Sequence, residues 1–167
     1  MSGRTGAAYL LRLTVLGFGA FPEAVPRARR HARDALGAWG VPGITQDAEL
    51  ITSELVANAV RASLAGRTQV YLRLLAEGGR VIVEVRDQSA EPPLPRVARY
   101  ADEGGRGLAV VAALSRRWGY YFDAGWKAVW AELGIDGVAA GGTGDGGGAG
   151  DGFPETGAWD DGAFMER

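Results

Sequence analysis

The sequence predicts an α+β domain of two layers, in which helices cover one face of a mixed or antiparallel sheet. The predicted segments follow the order β-α-α-β-β-loop-α-β-β, a pattern that packs as a sheet against helices. Two pairs of strands are joined by short glycine-containing turns, Glu77-Gly78-Gly79 and Asp123–Trp126, which are typical of hairpins. Hydrophobic residues make up 47% of the chain and charged residues 23%. These fractions are those of ordinary globular domains, so the chain can bury a core.

Hydrophobic periodicity predicts the individual elements. The predicted strands are Tyr9–Leu16, closed by Gly17 and Gly19, then Thr68–Leu75, Arg80–Arg86, Trp118–Phe122 and Lys127–Leu133. The predicted helices are Glu23–Trp39, Thr45–Ser63 and Leu108 to about Ser115. In the first helix Pro26 falls in the first turn, where proline is tolerated, and Gly40 follows the last turn. In the second helix Ile51, Leu55 and Ala59 recur at helical spacing.

The composition changes sharply after Leu133. Residues 1–133 carry 17 basic and 13 acidic side chains, and we predict that they form the domain. Residues 134–167 are glycine-rich and acidic, with a net charge of −6, and such a segment buries too little apolar surface to fold, so we predict a disordered tail. Its aromatic residues Phe153, Trp159 and Phe164 could form a short docking motif; the simpler alternative is a solvated tail in which they have no role.

The composition also excludes several classes of site and location. With no cysteine and a single histidine, His31, the chain has no disulfide framework, zinc–thiolate site, thiol catalysis or multi-histidine metal site. No apolar stretch approaches the roughly 20 residues that span a bilayer, so we predict a cytoplasmic protein with no membrane partner. His31 lies among four arginines on the first helix; a solvated face is the simpler interpretation, and we predict no nucleic-acid partner.

The second helix carries the first candidate site. Glu54 and Asn58 are four residues apart and therefore share one helix face. A carboxylate can act as a general base, and an amide oxygen is a ligand suited to Mg²⁺. The alternative is a solvent-exposed polar stripe. Asn58 is the chain's only asparagine and stands inside a helix, where asparagine is a poor helix former, and this favours a functional role.

Two further candidates follow along the chain. Asp87 ends the strand that begins at Arg80, where its carboxylate can accept a hydrogen bond from an exocyclic amine; the alternative is an ordinary turn aspartate. The segment Gly104-Gly105-Arg106-Gly107-Leu108 leads directly into the third helix. Glycines before a helix N-terminus let backbone N–H groups approach an anion, and Arg106 adds a planar donor fork for phosphate; the alternative is a turn that only starts the helix.

Together these motifs resemble the N box, G1 box and G2 box of the GHKL ATPase superfamily. Within it they are most similar to the small stand-alone histidine-kinase-like ATPases that include the anti-sigma-factor serine kinases. The matching segments are Glu54-Leu-Val-Ala-Asn58-Ala-Val-Arg61, Val83-Glu-Val-Arg-Asp87, Gly104-Gly-Arg-Gly-Leu108 and the closing strand Gly125-Trp-Lys-Ala-Val-Trp-Ala-Glu-Leu133. The resemblance covers roughly Tyr9–Leu133 and leaves only the tail outside.

The resemblance implies a Bergerat-type fold, with ATP between the helices and a lid loop. It implies that Asn58 holds Mg²⁺ and that Glu54 is the base that activates the attacking hydroxyl. It further implies that Asp87 accepts from the adenine amine and that the third helix start binds phosphate. The residues implied there are Gly105, Arg106, Gly107 and Leu108. Residues 88–104 would be the lid, from which Arg96 or Arg99 could reach the phosphates; solvated loop arginines are the simpler alternative.

Three departures from the family pattern bear on activity. The family often has His-Ala after the N-box arginine, where this chain has Ala62-Ser63, and the G1 glycines are absent, with Gln88-Ser89-Ala90-Glu91 after Asp87. The closing strand often has threonine after its lysine, where this chain has Ala128. We expect the loss of that hydroxyl to cost about 1 kcal/mol of nucleotide binding. None of the departures removes the base or the metal ligand.

The sequence therefore predicts an ATP-dependent serine/threonine kinase that uses Mg²⁺. Its implied partners are a sigma factor and an antagonist protein, on which it would phosphorylate a serine; a homodimer is left open. The alternative is a module that binds ATP and sequesters partners without phosphotransfer. A nucleic-acid binder using the arginine-rich helix is a third and more distant class.

Overall fold

The computed structural model describes residues 11–63, 68–93, 107–135 and 150–151. The strands are β1 (Arg12–Gly19), β2 (Gln69–Glu77), β3 (Arg80–Asp87), β4 (Arg117–Asp123), β5 (Trp126–Gly134) and the two-residue β6 (Gly150–Asp151). The helices are α1 (Ala24–Trp39), α2 (Thr45–Ala62) and α3 (Gly107–Leu114), and a short 3₁₀ turn, Pro42–Ile44, precedes α2. Each predicted helix is present, with bounds within one residue of the prediction.

The strands form a single sheet in the order β1-β2-β3-β5-β4-β6. The first five strands in this order pair antiparallel, and β6 lies parallel to the outer edge of β4. The three helices pack on one face of the sheet, against the side chains that alternate inward along the strands. The predicted α+β fold of the Bergerat type, an antiparallel sheet with helices on one face, is confirmed.

The spacing of alanine and leucine explains the helix layer. In α1 the buried residues Ala24, Ala28, Ala32 and Leu36 recur every four positions, and the small alanines let the helix lie close to its neighbours. The helix ends at Gly40, whose left-handed conformation (φ 73°) suits glycine, and whose N–H is bonded to the last carbonyls. In α2, Ile51, Leu55 and Ala59 face the core, as predicted.

The first strand differs from its predicted bounds. Gly17 and Gly19 were expected to close it, but β1 continues through both and ends at Gly19. Gly17 stands opposite Tyr71 of β2, and a Cβ atom at Gly17 would lie 2.9 Å from the Tyr71 ring. A glycine is therefore needed here so that the tyrosine ring can lie over the strand. The predicted start, at Tyr9, lies outside the described residues.

The sheet face away from the helices carries a second apolar cluster, formed by Leu75, Ile82 and Trp130. Beside it Arg73 donates to Glu84 at 2.8 Å, and both side chains are almost fully buried. A buried ion pair of this kind is costly to break, because the remaining charge stays buried.

None of the helices in the described ranges is long and apolar enough to cross a bilayer. The predicted disordered tail falls almost entirely outside the described residues and stays a prediction. The described residues of this segment belong to the sheet: β5 ends at Gly134, the Ile135 N–H donates to the Gly79 carbonyl at 2.8 Å, and Gly150–Asp151 form β6 beside β4.

Candidate functional site

A pocket of about 770 Å³ opens between α2, the start of α3 and the adjoining ends of β3 and β5. This volume lies within the range of small-molecule binding sites. Its apolar wall is formed by Leu55, Ala59, Val85, Leu108 and Val129. Its polar groups include Asn58, Arg61, Asp87 and Lys127. The segment that follows β3, Ser89–Pro93, also lines it.

The pocket brings together residues from separate predicted motifs. Asn58, Asp87, Gly107 and Leu108 all line it. Glu54 is not part of the lining, but its carboxylate lies against the start of α3. The other predicted phosphate-binding residues, Gly105 and Arg106, and the loop arginines Arg96 and Arg99 lie outside the described residues. What each of these residues does stays a prediction.

Gly107, the first residue of α3, lies against the polar side chains of α2. A Cβ atom at this position would lie 2.5 Å from Glu54 Oε2 and 3.5 Å from Asn58 Nδ2. The first distance is shorter than any real carbon–oxygen contact, so the absence of a side chain at Gly107 is what lets the Glu54 carboxylate reach this place. The start of α3, where the first N–H groups have no partner within their own helix, therefore lies near both polar side chains of α2.

Asn58 lines the pocket, with its amide nitrogen toward Gly107 and its amide oxygen toward Arg61. Arg61, one turn later, donates a hydrogen bond to Asn58 Oδ1. An amide oxygen has two lone pairs, so it can accept this bond and still offer a ligand position. Arg61 is exposed and can turn away from the site.

Asp87 is the last residue of β3, and only 1% of its surface is exposed. The Ser89 N–H donates to Oδ1 at 2.7 Å, and Lys127 Nζ lies 3.3 Å from Oδ2. Burial raises the pKa of the Asp87 carboxyl above its ordinary value, and the neighbouring Lys127 ammonium opposes this rise. The carboxylate is thus held in a fixed orientation in the pocket wall.

Lys127 is the residue that the sequence-based prediction missed. It is the chain's only lysine, it pairs with Asp87 in the β3–β5 register, and 4% of its surface is exposed. Besides its ion pair, Nζ donates to the Glu91 carbonyl oxygen at 3.1 Å. Its place in the closing strand was visible in the sequence, but no local pattern shows that this position stands opposite Asp87.

The expectation about Ala128 is wrong. Position 128 pairs with Arg86 and is not part of the pocket lining. Successive side chains of a strand point to opposite faces, so Ala128 shares the far face of the sheet with Trp130. Lys127, and not position 128, stands beside Asp87. A missing hydroxyl at position 128 therefore removes no contact from the pocket.

The donor set fits a nucleotide with Mg²⁺. Apolar walls suit a purine ring, and the polar residues Asp87 and Asn58 and the start of α3 all line the same pocket. The described part of the chain holds no group of three or more histidine, cysteine, aspartate or glutamate side chains that could hold a metal alone. A single amide ligand is consistent with Mg²⁺, which is commonly bound through substrate phosphates and waters.

Residues 18–131 match the protein family described as the histidine kinase-like ATPase domain. The chain belongs to this family. The match includes α2, β3, α3 and most of β5, the elements that form the pocket. The sequence resemblance to GHKL ATPases is thereby confirmed at the level of the family, and membership of the histidine kinase-like ATPases implies ATP binding.

Two solved structures are similar to this histidine kinase-like ATPase. One is the crystal structure of the RsbU and RsbW domains of Rv1364c from Mycobacterium tuberculosis, with a TM-score of 0.54 and 22% identity over 74% of this chain and 32% of that chain. This chain therefore spans about a third of that protein's length. The other is the Acinetobacter baumannii histidine kinase AdeS, with a TM-score of 0.40 and 19% identity over 75% of this chain and 69% of that chain. At these identities the similarity concerns the fold alone. A comparison with curated proteins gives no match.

Proposed function

We propose that this histidine kinase-like ATPase binds Mg-ATP in the pocket and phosphorylates a serine on an antagonist protein. In this proposal it is an anti-sigma-factor kinase that also binds a sigma factor. The observation that carries the proposal is the convergence of Asn58, Asp87 and Gly107 on one pocket, with Glu54 against Gly107. The sequence resemblance to anti-sigma-factor serine kinases supports it, as does the similarity to a structure that contains RsbU and RsbW domains.

In the proposed complex each part of ATP meets a different part of the pocket. The adenine lies against the apolar wall with its amine donating to Asp87. The phosphates lie at the start of α3, where free N–H groups and the positive end of the helix dipole favour anions. Asn58 Oδ1 holds Mg²⁺, which when bound neutralises the negative charge of the phosphates.

The proposed transfer uses Glu54 as the general base. Its carboxylate takes the proton of the serine hydroxyl of the antagonist, and the hydroxyl oxygen forms a bond to the γ-phosphorus. The bond between that phosphorus and the bridging oxygen breaks, and ADP leaves with the electron pair. The position of Glu54 against Gly107, beside the proposed phosphate site, supports this role.

The test combines binding and transfer. ATP binding is measured by titration calorimetry with Mg²⁺, and transfer by the label that γ-labelled ATP leaves on candidate antagonist proteins. We expect Asn58→Ala to lose Mg²⁺-dependent binding, and Glu54→Gln to retain binding but lose at least about 100-fold in transfer rate. Arg30→Ala, on the exposed face of α1, is the control and should behave as the wild type. Labelling that survives in Asn58→Ala would refute the mechanism.

A second candidate function is an ATP-binding module that sequesters its partners without phosphotransfer. Ala62 favours it, because this residue lines the pocket at a position where the family often has a histidine. The hydrogen bond from Arg61 to Asn58 Oδ1 favours it as well, since Mg²⁺ would share this oxygen with a positively charged guanidinium that repels it. The same assays separate the two functions. Wild-type protein that binds ATP but labels no antagonist would support the module.

A further inference from the structure

We propose that Lys127 is a second base-recognition group, whose ammonium donates a hydrogen bond to ring nitrogen N1 of adenine while Asp87 accepts from the amine at C6. This inference rests on the proposed ATP site and deepens it. It assigns a role in specificity to a residue of the closing strand for which the sequence predicted no role.

The first observation is the burial of the Lys127 ammonium in the pocket wall. Burying an ammonium is unfavourable unless its donors find acceptors. Lys127 Nζ has three N–H donors, and the described residues supply two acceptors, Asp87 Oδ2 at 3.3 Å and the Glu91 carbonyl at 3.1 Å. Lys127 lines the pocket, and none of the described residues accepts a hydrogen bond from its third donor. An acceptor on a bound ligand would satisfy this third donor.

The second observation is that Asp87 keeps room for a further donor. Its two carboxylate oxygens offer about four lone-pair sites. The Ser89 N–H and the Lys127 ammonium occupy two of them. Asp87 can therefore accept from an amine of the ligand without giving up its present partners. The ion pair is a ready acceptor–donor pair and does not have to open when the nucleotide binds.

The acceptor–donor order of this pair matches adenine. On its Watson–Crick edge adenine presents an amine donor at C6 beside the acceptor N1. Guanine and hypoxanthine present the reverse, an oxygen acceptor at C6 and an N1–H donor. In the same pose their oxygen would face the Asp87 carboxylate and their N1–H would face the Lys127 ammonium. With acceptor facing acceptor and donor facing donor, the buried polar groups lose their hydrogen bonds, and this strongly lowers the affinity for such a ligand. Lys127 thus adds to the discrimination that Asp87 provides.

The test uses ATP analogues that differ in a single ring atom, with the full chain and Mg²⁺ in titration calorimetry. In 1-deaza-ATP a C–H group replaces N1, which removes the proposed acceptor and keeps the amine. In 7-deaza-ATP the change lies on the other side of the base, which makes it the matched control. We expect wild-type protein to bind 1-deaza-ATP about 10- to 100-fold more weakly than ATP, as for a hydrogen bond to a charged donor. We expect 7-deaza-ATP to bind within about 3-fold of ATP, since neither side chain faces N7.

The variant Lys127→Met tests whether Lys127 is the group that donates to N1. It should bind ATP more weakly than the wild type and should bind ATP and 1-deaza-ATP equally. Its preference for ATP over GTP should also fall. Because each comparison is made within one protein, a loss of stability in the variant affects both ligands alike. The wild-type comparison stands even if the variant does not fold.

The outcomes distinguish this inference from the proposed function. Wild-type protein that binds ATP and 1-deaza-ATP with equal affinity would show that Lys127 serves only as the ion-pair partner of Asp87, and the inference would be wrong while the ATP site stands. Failure to bind ATP at all would overturn the proposed function together with this inference. Weaker binding of 1-deaza-ATP that persists unchanged in Lys127→Met would also contradict it, because another group would then be the donor.

Discussion

Replacing Gly107 by alanine should separate the stability of this protein from its activity. The new Cβ would lie 2.5 Å from Glu54 Oε2, so atoms must move apart by about 1 Å to reach ordinary contact. The atom that moves is the end of a flexible side chain, and the backbone of Gly107 is not in the left-handed region. The fold should therefore tolerate the change, and the advantage of alanine over glycine, about 1 kcal/mol in a helix interior, should be smaller at this first position of α3.

The cost should appear in the proposed chemistry. Displacing a catalytic group by about 1 Å can cost on the order of 100-fold in rate. We expect Gly107→Ala to transfer phosphate about 100-fold more slowly than the wild type, with thermal stability unchanged or slightly raised. Stability is measured by calorimetry without nucleotide, and transfer by single-turnover labelling of the antagonist at saturating ATP.

Gly37→Ala is the matched control for this substitution. Gly37 lies in α1, and a Cβ atom there would meet no atom within 4 Å. This variant should gain up to about 1 kcal/mol of stability and transfer phosphate at the wild-type rate. If Gly107→Ala also transferred at the wild-type rate, the carboxylate position inferred for Glu54 would have no part in the chemistry, and the reasoning would be refuted.

Three further predictions concern charge. Burial raises the pKa of Asp87, so its carboxylate is protonated, and lost as an acceptor, at a higher pH than an ordinary aspartate. ATP affinity should therefore fall as the pH drops through this raised pKa. In a calorimetric pH series Asp87→Asn should abolish that dependence. Burial lowers the pKa of His31, so the imidazole binds a proton more tightly in the unfolded chain than in the folded one. The free energy of unfolding should therefore fall as the pH drops below about 6.5, the ordinary pKa of histidine. In urea titrations His31→Gln should reduce this pH dependence. Glu84→Ala removes the carboxylate that the buried Arg73 guanidinium contacts and should cost about 3–5 kcal/mol in urea unfolding. Glu49→Ala, which breaks an ion pair with the exposed Arg33, should cost much less, and equal losses would contradict the argument from burial.

Local patterns were sufficient for the helices and for the first polar pair. The apolar spacing of α2 predicted its length and placed Glu54 and Asn58 on one face, because both properties depend only on the 3.6-residue period of a helix. The turn before Arg80 and the turn before Trp126 were readable for a similar reason, since glycine at the turn marks a hairpin whatever surrounds it. The end of β1 was not readable, because the need for Gly17 comes from the Tyr71 ring across the strand pair.

The sequence by itself therefore determined the fold class, the order of the helices and of β1 to β5, and the polar residues of α2, since these follow from periodicity within a segment. Only the tertiary structure decided that Lys127, and not position 128, stands beside Asp87. Side chains alternate between the two faces of a strand, so a shift of one residue in register exchanges the faces. The register of β3 against β5 joins strands that are distant in the chain, and the packing of the whole sheet against the helices sets it.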